Sequence, residues 1–229
     1  MKKLIILTTL FFGFSAFAAD IIPEFHFVGA SITRGVGAPQ SLETRIETQL
    51  AEEAEIAKLR ETTVLFALDY FFVTNFNAIR SDSAVSDGQF EITVRSIVSN
   101  WLQNNDKVVV GLLPVADDLT QAQKNFLISD RGQAYSTVFG VINQCCLAKA
   151  KKLNQILRSM AANSSDLYLF DSARIIDWYV SDPNLPGTSN MYGMFDRIHI
   201  NSYGQSVFYN QALKPVLERM WSVQLSPMR

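Results

Sequence analysis

Cysteine, histidine and surplus positive charge are what this chain has little of. Its 229 residues include two cysteines and two histidines. The cysteines, Cys145 and Cys146, are neighbours, and adjacent cysteines cannot close an ordinary disulfide without unusual backbone strain. They fall in a helical-looking stretch, Val138 to Met160, where buried thiols, a vicinal disulfide and intermolecular pairing all remain open. With two histidines and no Cys/His cluster, a zinc site is not expected, and no cofactor is called for. Basic residues number 20 against 22 acidic ones, a formal charge of −2. Setting aside Lys2 and Lys3 leaves 18 against 22, or −4. That balance argues against binding nucleic acid by phosphate neutralisation, which needs clustered Lys and Arg. Internal repeats and low-complexity linkers are also absent from the sequence.

A long apolar run is missing too. Leu4 to Phe14 is too short to span a bilayer comfortably, but it follows the positive start Met1-Lys2-Lys3 and precedes Ala16-Phe17-Ala18. That order is the pattern of a secretory signal, with cleavage expected before Ala19. No basic stop-transfer flank follows, so a stable membrane anchor is not expected. The expected organisation is a signal over 1–18 and one domain over 19–229, located in the periplasm or secreted. About 210 residues suit a single domain with a sizeable core. At 48% hydrophobic and 18% charged, the composition is globular.

Strand-like and helix-like segments alternate along that domain. Phe25 to Gly29, Thr62 to Leu68, Lys107 to Leu113 and Leu167 to Phe170 read as four strands. Leu42, Ile46 and Leu50 recur every four residues and predict a helix running to about Leu59. Phe90, Val94, Ile97 and Trp101 predict a second, and Val138 to Met160 a third. A last helix is expected from about Ser202 to Trp221, kinked or split by Pro215. Near-continuous apolar strands between helices favour an α/β fold, a mainly parallel sheet covered on both faces. Such sheets hold ligands at the carboxyl ends of their strands.

Chemistry-bearing residues stand at two such places. After the first strand comes Gly29-Ala30-Ser31-Ile32-Thr33-Arg34-Gly35. A serine on a turn there can present its hydroxyl, and its own backbone N–H can face a developing oxyanion. Gly29, Gly35 and Gly37 lack dinucleotide-fingerprint spacing. No Gly-Lys-Ser/Thr is present, and Thr33 breaks the G-x-S-x-G elbow. The second place is Asp196-Arg197-Ile198-His199, before the last helix. A serine hydroxyl needs an adjacent base, imidazole is suited to that role near neutral pH, and a carboxylate can hold the ring in the required tautomer. His26, inside the first strand, reads as a structural histidine. Met191, Tyr192, Met194 and Phe195 read as loop packing or the wall of an acyl pocket, and Arg34 as a surface residue or a contact for an anionic substrate.

Together the two elements resemble the SGNH/GDSL hydrolase family. Gly29-Ala30-Ser31-Ile32-Thr33 is similar to its first block, where the serine usually follows Gly-Asp. Asp196-x-x-His199, with Ile200-Asn201 and Gly204, is similar to its last. The resemblance covers both ends of the mature domain. It implies a flavodoxin-like three-layer α/β/α sandwich and an esterase or lipase-like hydrolase acting through an acyl-serine, with Ser31, Asp196 and His199 as catalytic triad. The middle departs from the family. The strand carrying the second block's glycine is expected to be shortened or missing, since residues 40–60 look helical. In place of Gly-x-Asn-Asp the chain has Ala67-Leu68-Asp69-Tyr70, with Asn75 and Asn77 following. The expected oxyanion hole therefore draws on Ser31, Asp69 and Asn75. The substrate implied is a small-molecule, glycan or lipid ester. Alternatives on the same residues are a catalytically silent ligand-binding domain and an acyltransferase to a sugar hydroxyl.

Overall fold

The computed structural model describes residues 23–29, 33–36, 38–53, 59, 62–71, 85–113, 115, 118–128, 147–172, 174 and 201–229. Ser31, Asn75, Asn77, Cys145, Cys146, Asp196, His199 and the proposed signal lie outside them.

Four strands are described: β1 (Glu24–Val28), β2 (Thr63–Ala67), β3 (Lys107–Leu112) and β4 (Leu167–Asp171). They form one parallel sheet in sequence order, β1-β2-β3-β4. The expected strands are all present within a residue or two. The central pair is buried on both faces, which is why its sequence is continuously apolar rather than alternating. Val64, Phe66 and Val109 face one layer, while Leu65, Ala67, Val108 and Val110 face the other.

Helices cover both faces, giving an α/β/α sandwich. On one side lie α1 (Leu42–Glu52) and the C-terminal helices α5 (Ser202–Phe208) and α6 (Lys214–Trp221). On the other lie α2 (Asp87–Asn104) and α4 (Leu147–Ala161). A short α3 (Gln121–Ile128) follows β3. Leu42, Ile46 and Leu50 are fully buried, as their spacing predicts. Burying each such side chain contributes about 1.5–3 kcal/mol.

α1 stops at Glu52, well short of Leu59, with Glu53 as its C-cap. Glu52 and Glu53 stand at the end where the helix dipole is negative, and no basic residue occupies the last turn to offset them. Leu59 is nevertheless fully buried in the α1-side layer. In α2 the buried stripe is Phe90, Val94, Val98 and Trp101, so Val98 takes the place expected of Ile97, which is only partly buried.

Strands laid down in one direction by crossovers of one hand keep their connecting helices on one face. Here α2 and α4 share a face, but α1 lies on the opposite one. A flavodoxin-like sheet has this helix distribution because its first helix leads to an outer strand beyond β1. The described strands follow that order with the outer strand left out. Of residues 54–61 the structure describes Leu59 alone.

Pro215 divides the last helix as expected. It has no N–H to donate, and its ring would meet the carbonyl four residues back. A π-helical turn, Tyr209–Leu213, absorbs the mismatch, and α6 restarts with Pro215 in its first turn. Tyr209 is fully buried there, and burial, with Glu53 and Glu218 adding to it, holds its phenol above the ordinary tyrosine range. The segment after α6 folds back on the helices. Asn210 donates to the carbonyl oxygen of Met228 (2.9 Å) and accepts from its N–H (2.8 Å). No helix among the described residues is long and apolar enough to cross a membrane.

Candidate active site

The carboxyl end of β1 runs into the loop that carries Ser31, and the described residues on either side of that serine are tightly fixed. Thr33 is nearly fully buried. Its hydroxyl donates to Asp69 Oδ1 at 2.5 Å, and its carbonyl oxygen accepts from the Glu43 N–H at 3.3 Å. Asp69, also buried, follows β2 by two residues, so the contact joins the carboxyl ends of neighbouring strands. A Cβ built on Gly29 would collide with both Thr33 Oγ1 and Asp69 Oδ1. The hydrogen bond therefore passes directly over the glycine, and no larger residue fits beneath it.

Beyond Thr33 the loop turns through Gly35, at φ 75°, a left-handed conformation that glycine adopts without a Cβ penalty. The Ala38 N–H donates to the Gly35 carbonyl oxygen at 3.0 Å. Ser41 then caps α1, its Oγ accepting from the Thr44 N–H at 3.0 Å. Arg34 is exposed.

The family-like Asn201 and Gly204 have a plain local role. Asn201 Oδ1 accepts from the Gly204 N–H at 3.0 Å and caps α5, the helix that follows Asp196-x-x-His199. The start of α5 meets the region that follows Ser31. Gln205 donates through Nε2 to the Gln40 carbonyl oxygen at 3.1 Å. Arg45, on α1, donates through Nη1 to the Ser202 carbonyl oxygen at 2.5 Å and to Gln205 Oε1 at 3.1 Å. Its Nη2 donates to Ser206 Oγ at 2.8 Å and to the backbone oxygen of Arg229.

Of the sequence-predicted site residues, Asp69 is the one that the described structure includes. It stands beside the serine loop with Oδ1 already accepting a hydrogen bond. Arg45, Thr33 and Gln205 were not singled out by sequence for any role. Their partners are far away along the chain, and only Thr33, inside the family-like first block, carried a signal that could have drawn attention. His26, by contrast, lies at mid-strand in β1 and away from the serine loop. Its Nδ1 lies 2.8 Å from Asn105 Oδ1 and its Nε2 2.9 Å from Glu24 Oε1. Asn105 Nδ2 donates to the Trp101 carbonyl oxygen, which turns Oδ1 toward the ring. Both ring nitrogens thus face acceptors. The hydrogen bond to Glu24, followed by that to Asn105, raises the pKa of His26 above the ordinary histidine value.

Among the described residues, no group of three or more His, Cys, Asp or Glu side chains could hold a metal ion. A groove of about 730 Å³ between α1 and residues 226–229 is lined largely by polar side chains, including Arg45, Thr48, Gln49 and Glu52. That lining does not suit an acyl chain, whose pockets are mostly apolar. No family model, curated protein or solved structure matches the chain.

Proposed function

We propose that the chain is an exported serine ester hydrolase working through an acyl-Ser31 intermediate. In this reading His199 takes the Ser31 proton as the hydroxyl attacks the ester carbonyl, and Asp196 holds the ring and stabilises the imidazolium. His199 then returns the proton to the departing alcohol. Water, activated by the same base, releases the acid and restores Ser31. The Ser31 backbone N–H and the Asn75 amide are the proposed donors to the oxyanion. Asp69 acts differently. Its Oδ1 accepts from Thr33, and in this reading it holds the loop. The charged start, apolar run and Ala16-Phe17-Ala18 support placement in the periplasm or outside the cell.

One observation carries the reading. The two segments with family-like motifs come from opposite ends of the chain, and the residues flanking them meet through Gln205–Gln40 and Arg45–Ser202. The test is turnover of p-nitrophenyl acetate by the chain without residues 1–18, beside its Ser31→Ala variant. Hydrolysis that disappears with Ser31 supports the esterase. A folded chain without turnover points to a silent binding domain, and turnover retained in Ser31→Ala refutes the assignment.

A further inference from the structure

A triad drawn from both ends of a chain needs something to hold those ends in register. We infer that Arg45 is the positioning residue that does so. The inference rests on the esterase reading of Ser31 and His199. α1 is tied to the serine loop by the bond from the Glu43 N–H to the Thr33 carbonyl oxygen, and Arg45 follows within the same turn. Its guanidinium spans the gap to α5, where it meets the Ser202 carbonyl oxygen, Gln205 Oε1 and Ser206 Oγ. Ser202 comes three residues after His199, so the bond acts on the start of the helix that the D-x-x-H block leads into.

The chemistry of the contact favours positioning over adhesion. Each terminal nitrogen of Arg45 serves two acceptors. A planar fork fixes direction as well as distance, which an ammonium group cannot do. Ser206 Oγ also donates to the Arg229 backbone oxygen at 2.9 Å, so the acceptors around the cation are themselves held. A triad base works only within hydrogen-bond reach of its nucleophile, about 2.6–3.2 Å. A misplacement of about 1 Å costs on the order of a hundredfold in rate.

The experiment compares Arg45→Met, Arg45→Lys and Asn210→Ala. The last variant breaks the clasp on Met228 in the same layer; it can loosen the neighbouring Arg229 oxygen but leaves the Arg45 acceptors on α5, Ser202, Gln205 and Ser206, in place. Readouts are kcat and KM for p-nitrophenyl acetate, the rate at which a fluorophosphonate labels Ser31, and Tm. Arg45→Met is expected to lower kcat and labelling rate roughly 10- to 100-fold with KM within about twofold. Arg45→Lys should fall between it and the parent. Asn210→Ala should lose a similar amount of Tm yet keep kcat within about twofold.

Equal labelling in Arg45→Met and the parent overturns the inference and leaves the esterase reading intact. So does a loss of kcat that merely tracks Tm in both Arg45→Met and Asn210→Ala. Absence of labelling and turnover in the parent overturns both together. Should Arg45→Met not fold, Ser206→Ala removes one acceptor of the fork. A severalfold loss of kcat supports the inference, and an unchanged kcat contradicts it.

Discussion

The two edges of the sheet use polar groups in opposite ways. Toward the amino edge the described polar pairs are partly exposed: Lys107 with Asp166 at 2.5 Å and, within β1, mid-strand His26 with Glu24 at 2.9 Å. Lys107 draws the Asp166 carboxyl below its ordinary range through their hydrogen bond, yet solvent screens such pairs to about 0–1 kcal/mol. At the carboxyl edge the contact described between neighbouring strands is buried. Thr33 and Asp69 meet over Gly29, where a side chain on the glycine would collide with both. An edge that needs only solubility can tolerate loose pairs. The buried pair stands at the edge where the proposed chemistry would lie, so a change to either member should be felt more there than a change at the amino edge.

The strongest test of the contrast removes the proposed chemistry itself. Ser31→Ala and His199→Ala should each lower p-nitrophenyl acetate turnover by about 10⁴-fold or more while leaving the circular dichroism spectrum unchanged. The double variant should be scarcely worse than either, because triad members act as a unit, and Asp196→Asn should cost less. Next comes Gly29→Ala, whose methyl group must displace Thr33 or Asp69. Urea unfolding should show a loss of roughly 2–4 kcal/mol from overpacking and a broken buried hydrogen bond. An unchanged midpoint would mean that the loop is looser than its contacts imply.

Smaller effects separate the partners. Thr33→Val keeps the shape of the side chain but strips a buried carboxylate of a donor, and should cost about 1.5–3 kcal/mol. Asp69→Asn retains an acceptor oxygen, so it should be milder and preserve esterase activity. If Asp69→Asn abolishes turnover while stability holds, the side chain does more than hold the loop. Smallest is the amino edge. The pKa of His26 is raised in the folded state, so protonation favours folding. That stabilisation is fully present below the unfolded value of about 6.5 and fades as pH rises through the higher folded value. Because the ring is 43% exposed, the effect should be no more than a few tenths of about 1 kcal/mol. Comparing urea midpoints of the parent and His26→Gln at pH 5.5 and 8.5 checks both sign and size.

How far the sequence was readable follows from where each signal resides. The strands were legible because double-sided burial writes itself as continuous apolar runs, and Pro215 announced its break by missing an N–H. The early end of α1 was harder to read, since the apolar period fades while repulsive acidic residues accumulate. Val98 replaced Ile97 because i, i+3 and i, i+4 spacings both satisfy a helical stripe, and packing chooses between them. The π-helical turn carries no local pattern of its own. Arg45 was invisible for a different reason: its acceptors include the backbone oxygens of Ser202 and Arg229, and a carbonyl leaves no trace in composition or spacing. Asp69 was legible as a departure from the family-like third block. That Thr33 is its partner follows from the parallel register of β1 and β2.

The most direct measurement is labelling of the chain with a fluorophosphonate followed by peptide mapping. A single adduct on Ser31, lost when His199 is replaced by alanine, is the result predicted by a serine activated from the far end of the chain. No adduct on the folded protein, or one on another serine with Ser31 unmodified, would contradict it.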